Sequence, residues 1–390
     1  MRSIDAAERR TRLARRHRLA PGHRAGGVVE AARSMVCLHG TDPATVYLSA
    51  LARVDGMAMS DLDRALYVDR SLVKHLAMRR TLYVFPREML AAAQAGASER
   101  VADVERRRLI REVEKAGLQR NGERWLTKAC EQVLEALSDG REATSSQLRD
   151  EIPLLEGSMT YGEGRSWGGQ VSVGPRVLTV LSAEGHILRA SNDGGWNTSR
   201  PRWASTAAWL GEEIAPMIAA EGVAGMVAAW LQSFGPGTAA DIKWWLGSTV
   251  TAVRQALADL GAVEVELDGK PGCVLPDDLD PADPVAPWAA LLPSLDPTTM
   301  GWYERDWYLG PYKQQLFDTN GNAGPTMWWD GRIVGGWRQT ETGEVVLQAL
   351  EDIGSEATSA FEQEAARLTE WLGGTRVLLR FPSPLWKDAR

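Results

Sequence analysis

The 390-residue sequence predicts an α+β protein: three tandem winged-helix (helix-turn-helix) units followed by a C-terminal β-rich, barrel-like module. Three observations lead there. A pattern of helix, short turn, helix and β-hairpin occurs three times. A basic N-terminus stands against an otherwise acidic chain. Beyond about residue 285 the sequence breaks into short apolar runs split by Gly, Pro, Asn and Asp.

The cleanest copy of the pattern starts at Gly235. Thr238 precedes Asp241 by three residues, an N-cap arrangement, and Ile242 and Leu246 give one helical face before Gly247 breaks the helix. Val253, Leu257 and Leu260 give a second face, Gly261 ends it, and alternation in Val263, Val265 and Leu267 reaches a turn at Asp268 and Gly269. The second copy places Thr144, Gln147, Leu148 and Ile152 in the first helix and Val177, Leu181, Gly185 and Ile187 in the second. The first copy is looser, with Leu62 and Leu66 in one helix and Leu72, Leu76, Arg80 and Leu82 assigned to the next.

The copies differ where a recognition surface would differ. The second carries a glycine-rich insertion, EGSMTYGEGRSWGGQVSVG, in which Arg165 and Trp167 suit phosphate contact and stacking, or else the loop folds over its neighbour. Its wing, SNDGGWNTSRPRW, offers Arg200 and Arg202, and the first wing begins at Arg79 and Arg80. VADVERRRLIREVEKAG reads as a charged connecting helix with a solvated face. The expected divisions are a basic N-terminal arm (1–25), winged helix 1 (26–95), a connecting helix (96–124), winged helix 2 (125–205), winged helix 3 (206–284) and the β-rich module (285–390).

In that last module Asp330 and Gly331 between MWW and RIVGGW mark a hairpin, SEATSAFEQEAARLTEWLGG a helix and RVLLRF a final strand. Trp328 and Trp329 read as hairpin packing or as rings that meet nucleic acid, and Arg332 flanks them.

Bulk properties narrow the function classes. Residues 1–33 hold nine Arg against Asp5, Glu8 and Glu30, whereas the whole chain carries −7. An acidic total permits nucleic-acid binding through local basic surface, but disfavours a binder driven by charge alone. No apolar run approaches the ~18 residues that span a bilayer, and the N-terminus lacks a signal-peptide core, so the expectation is a cytoplasmic chain with no membrane partner. Cys37, Cys130 and Cys273 form no CxxC pair and the five His show no metal spacing, so no cofactor or metal is expected and the cysteines read as buried apolar residues.

Three stretches carry a family resemblance. LLPSLDPTTMGWYERDWYLG, GNAGPTMWWDGRIVGGW and MRRTLYVFPREML resemble the bacterial winged-helix DNA-binding family that contains the AlkZ and YcaQ DNA glycosylases, over residues 26–385. The resemblance implies a C-shaped array of winged helices with a barrel-like module, and removal of bulky or cross-linked alkylpurine adducts from duplex DNA without a metal. It also implies a Gln–x–Gln or Gln–x–Asp motif after the first long helix. Here that stretch is CLHGTDP, with His39 on the first Gln position, Thr41 on the second, and Asp42 beside them as an electrostatic aid or as an N-cap before Pro43. A neutral His can orient a water or accept a proton near neutrality, and Thr can hydrogen-bond water but cannot act as a base. The expectation is a monofunctional DNA glycosylase, acting as a monomer on double-stranded DNA; the alternative is a non-catalytic winged-helix DNA-binding protein or transcriptional regulator.

Overall fold

Capping and turn residues set most element boundaries in the structure, a computed structural model that describes residues 1–161, 169–378 and 380–386. The chain divides into two compact units: residues 1–73, 83–87 and 224–390 form one, residues 74–82 and 88–223 the other.

The chain opens with a short strand, β1 (Arg2–Ser3), and helix α1 (Ala6–Arg16), whose N-cap Asp5 accepts from the Glu8 amide. The basic N-terminus is largely committed inside its own unit. Arg12 lies 3% exposed between Glu8 (2.8 Å) and Asp278 (2.6 Å), Arg16 also pairs with Asp278, and Arg9 stacks on the Trp307 ring at 4.1 Å. An arm of free positive charge would leave these guanidiniums in water; here carboxylates and an indole take them.

Next come α2 (Val28–Ser34), β2 (Leu38–His39), α3 (Pro43–Leu51) and α4 (Met59–Asp63), which runs on as a wider helical turn, Arg64–Val68. The segment expected as the first copy's second helix is instead a hairpin, β3 (Leu72–Ala77) and β4 (Thr81–Pro86), in a sheet of order β2-β4-β3. Arg79 and Arg80 take left-handed φ values of 54° and 60° at its tip, as a tight hairpin turn requires. The β-branched and aromatic residues of LVKHL and TLYVF favour a strand, and Leu72, Leu76 and Leu82 bury from strand positions. The pattern was therefore displaced by one element, and the helix at its second position is α4.

The second unit holds α5 (Glu99–Lys115), the charged helix expected from its sequence, and α6 (Gly122–Ala136). α7 (Ser145–Glu151) follows with a complete capping box, in which Thr144 Oγ1 accepts from Gln147 N (3.2 Å) while Thr144 N donates to Gln147 Oε1 (2.9 Å). The inserted segment begins and ends as a hairpin, β5 (Ser158–Tyr161) with β6 (Gly169–Ser172). α8 (Gly174–Ala183) and the hairpin β7 (Ile187–Asn192), β8 (Pro201–Ser205) complete the run. Leu148, Ile152, Val177, Leu181 and Ile187, the residues of the second copy, all lie in one core.

After α9 (Ala219–Phe234), the third copy has the expected order: α10 (Ala239–Leu246) capped by Thr238, a left-handed Gly247, α11 (Val250–Asp259), then β9 (Val263–Leu267) and β10 (Lys270–Val274) joined through Asp268 and Gly269. β1 adds to β9 in parallel, so the N-terminus closes this sheet.

The C-terminal region has a four-stranded sheet of order β11 (Ala289–Leu292), β12 (Thr326–Trp329), β13 (Arg332–Gln339), β14 (Val345–Ala349), every pair antiparallel. The expected Asp330–Gly331 hairpin joins β12 to β13, and α12 (Gly354–Leu372) follows, burying Ala357, Phe361, Ala365, Leu368 and Leu372 at helical spacing. Two expectations fail here. The sheet is open, and among the described residues no sheet closes into a barrel. RVLLRF forms no strand among its described residues, because the backbone there binds a side chain: Val377 N donates to Gln339 Oε1 (2.8 Å) and Gln339 Nε2 donates to Thr375 O (3.0 Å).

Candidate active site

β2 ends at His39 and α3 begins at Pro43, so Gly40, Thr41 and Asp42 form a turn between a strand and a helix N-terminus. Pro43 suits the first helical position because it has no amide hydrogen to satisfy. The Asp42 side chain caps the helix: Oδ1 accepts from Ala44 N at 3.2 Å, and Oδ2 faces Arg380 N at 3.5 Å. Asp42 is 3% exposed, and burial raises its pKa while the Ala44 and Arg380 amides oppose the shift. Both oxygens face backbone donors, which makes Asp42 a cap and leaves it poorly placed as a base.

His39 and Thr41 are half-buried on the same turn. The His39 ring meets Tyr83 edge-on at 5.3 Å, across the register pair His39 and Tyr83 of β2 and β4. Thr41 N–H points at His39 Nδ1 at 3.5 Å, the outer limit of a hydrogen bond. The turn thus directs Nδ1 toward its own backbone.

α3 is gripped at both ends by the turn at residues 294–298. Thr45 Oγ1 donates to Ser294 O (2.9 Å) near the helix start. Just beyond its end, Arg53 makes a fork with Asp296, Nη1 to Oδ2 at 2.9 Å and Nη2 to Oδ1 at 2.8 Å. Arg53 Nη2 also donates to Thr298 Oγ1 (2.7 Å), which sits 2.9 Å from His17 Nδ1, and His17 Nε2 lies 3.1 Å from Ser233 O. A carbonyl can only accept, so His17 carries its proton on Nε2 and its Nδ1 accepts from Thr298. Arg53, Asp296, Thr298 and His17 are all 0% exposed. Burial raises the Asp296 carboxyl, but the charge and hydrogen bonds of Arg53, with those of Ser49 and the Thr298 amide, together lower its pKa; burial, with the Arg53 charge, drives His17 down to about 3.

The remaining expected residues scatter. Arg79 and Arg80 are exposed at the β3–β4 tip, with Arg80 3.2 Å from Glu105. Arg200 is exposed, and Arg202 pairs with Asp193 at 2.7 Å. Arg165 and Trp167 lie outside the described residues. Trp328 is corrected: it is 0% exposed, stacks on Tyr308 at 5.2 Å and donates Nε1–H to Thr326 Oγ1, so its ring has no surface to offer DNA. Thr326, Met327 and Trp328 are buried in a row along β12, which sits between β11 and β13, and only Trp329 at its end is half-buried. Trp329 and Arg332 do line one cavity of about 520 Å³, with Arg332 paired to Glu351.

Sequence reasoning missed Arg53, Asp296, Thr298 and His17, although LLPSLDPTT supplied the motif that carries two of them. It also missed Arg380, whose Nη1 donates to Thr41 O at 3.4 Å. The three cysteines are buried and form no disulfide. Among the described residues no group of three or more His, Cys, Asp or Glu is placed to hold a metal ion, and no helix is long and apolar enough to cross a membrane.

A family model described as "DNA glycosylase AlkZ-like" matches residues 32–371. The structure is similar to that of Streptomyces sahachiroi DNA glycosylase AlkZ, with a TM-score of 0.75 over 97% of this chain and 99% of that one, at 19% identity. No curated protein sequence matches.

Proposed function

The chain belongs to the AlkZ-like DNA glycosylase family, and from that premise we propose that it is a monofunctional enzyme for alkylated or bulky purine adducts in duplex DNA, with its water held by His39 and Thr41. The observation that carries this reading is the turn itself. Two side chains able to hold one water stand on adjacent alternate positions, and the helix N-terminus behind them is already capped by Asp42. We take the three helix–helix–hairpin runs as winged-helix units, the first being α3, α4 and β3–β4. Such units bind DNA by placing a helix in a groove and a wing on the backbone.

The chemistry asks little of the protein. In an N7-alkylated purine the base already carries positive charge, so the C1′–N bond breaks with its electron pair going to the base, which leaves neutral. The water oxygen bonds to C1′, and its proton passes to bulk water. His39 and Thr41 would orient that water, a positioning effect. Damaged bases also cost less to unstack than intact ones, which helps selection.

Incubation of the protein with a duplex containing 7-methylguanine, followed by alkali, tests the reading. Strand scission at the lesion that is lost in His39→Ala supports it. Binding without scission across a panel of alkylpurine lesions favours the second reading, a non-catalytic DNA binder, which the replacement of the usual Gln pair by His39 and Thr41 keeps open.

A further inference from the structure

The segment after α12 does not behave as the strand its sequence suggests. Two side-chain bonds from Gln339 hold residues 375–377 against the end of β13, and Arg380 then reaches the His39 turn through Thr41 O and Asp42 Oδ2. Fixed at both ends, the chain presents Leu378 between them at 81% exposure. Among the described residues only Met1, at the chain start, is a more exposed large apolar side chain. Arg376 and Arg380, both exposed, flank it.

A single exposed leucine is ordinary on a protein surface. This one differs in its setting. It lies two residues, at most ~7 Å of backbone, from Arg380, whose guanidinium is bonded to the turn that carries His39 and Thr41. An apolar wedge between arginines suits a duplex: apolar side chains that enter a base step unstack it, and arginines hold the flanking phosphates.

We propose that residues 375–378 and Arg380 form a DNA-engaging strap, in which Leu378 enters the base stack beside the lesion and Arg380 binds a backbone phosphate next to the His39 turn. The assignment rests on the reading of that turn as the place of bond cleavage. Leu378 supplies the unstacking that brings the damaged nucleotide out, and Arg380 couples the backbone to the loop that holds the water. Its Nη1 contact with Thr41 O sets the side chain's direction before DNA arrives, so little ordering remains to be done on binding.

Two measurements on the full chain test it. The first uses a duplex with 2-aminopurine beside a tetrahydrofuran abasic-site analogue, which cannot be turned over. Wild-type protein should raise the 2-aminopurine fluorescence, Leu378→Met should keep most of the rise, and Leu378→Ala should lose most of it. With 7-methylguanine duplex, single-turnover excision by Leu378→Ala should slow about tenfold, as a barrier increase of roughly 1.4 kcal/mol would cause. Its thermal midpoint should match wild type. The second measurement is the salt dependence of binding. Arg380→Ala should flatten the slope of log K against log salt by about 0.9, the value of one phosphate contact, and Arg380→Lys should restore it. No fluorescence rise with wild type, or an undiminished rise with Leu378→Ala, overturns the wedge; an unchanged slope in Arg380→Ala overturns the phosphate contact. The fluorescence does not depend on cleavage, so it separates this proposal from the previous one. Full excision by His39→Ala would sink the reading of the turn, whereas loss of excision there with full fluorescence in Leu378→Ala would sink the strap alone.

Discussion

Two Asp-Pro turns in the same unit show how alike sequences take opposite roles. Asp42-Pro43 and Asp296-Pro297 each put a nearly or fully buried carboxylate ahead of a proline. Asp42 faces backbone amides, and its pKa is raised by burial; Asp296 faces a guanidinium, and Arg53 with the Ser49 and Thr298 hydrogen bonds lowers its pKa against burial. The first turn keeps its neighbours His39 and Thr41 half-exposed, whereas the second has its polar partners wholly enclosed. The difference is one of enclosure: the turn at 294–298 bonds both ends of α3 through buried groups, while the turn at its start keeps two side chains half-buried.

The largest effect belongs to the enclosed turn. Arg53→Ala leaves Asp296 buried without its cation and should cost about 3–5 kcal/mol of stability, measured by urea unfolding. The double change Arg53→Met with Asp296→Leu should recover much of that loss, since an apolar pair replaces the charges without stranding one. Should Arg53→Ala unfold at wild-type urea concentrations, the turn at 294–298 does not hold α3.

The half-open turn should show the reverse pattern. His39→Ala is expected to lower single-turnover excision on the order of 10²-fold, comparable to removal of one oriented hydrogen-bonding group in other active sites. Stability should stay within about 0.5 kcal/mol, as for most surface changes. A loss of stability matching that of Arg53→Ala would erase the distinction between the turns.

These contrasts also explain what could be read from the sequence. Capping residues and glycines act over three or four neighbours, so Thr144, Thr238, Gly247 and the Asp268 and Asp330 turns were legible. So was the Asp42 cap before Pro43. The hairpin at Leu72 was not, because the spacing of Leu72 and Leu76 also fits a helix face, and composition alone favours a strand only weakly until its partner is known. Arg53 and Asp296 are 243 residues apart, and nothing local marks either as one half of a pair. The same holds for Arg12 and Asp278: a basic N-terminus looks like a DNA arm until the carboxylates that neutralise it are in view.

Protonation gives a graded test of the enclosed network. His17 is held neutral down to about pH 3, and His75, buried in the other unit with Nε2 3.0 Å from Ser98 Oγ, down to about pH 4. Above the unfolded pKa of about 6.5 neither state binds these protons, so they contribute no pH dependence. Below it the unfolded chain takes up protons that the folded chain refuses, and stability falls by about 1.4 kcal/mol per pH unit per histidine. The contribution of His75 should level off near pH 4 and that of His17 near pH 3. His17→Gln should remove its share of the slope between pH 6 and 4, whatever it does to stability at pH 8. An unchanged slope would mean that His17 is not enclosed as described.

The smallest effect decides the status of Asp42. As an N-cap it should tolerate asparagine, whose carbonyl oxygen can still accept from Ala44 N, at a cost of a few tenths of a kcal/mol, while Asp42→Ala should cost about 1 kcal/mol. The amide nitrogen of asparagine would then face Arg380 N, another donor, so the 3.5 Å contact with the strap is lost and the helix cap kept. Excision by Asp42→Asn should therefore stay within about threefold of wild type, roughly the effect of 0.7 kcal/mol on a barrier. A cap needs an acceptor and is indifferent to charge; stabilisation of a cation-like sugar needs the charge and would not survive its removal. If Asp42→Asn keeps its unfolding midpoint but loses excision as His39→Ala does, the carboxylate acts on the sugar, and the two Asp-Pro turns differ in chemistry as well as in exposure.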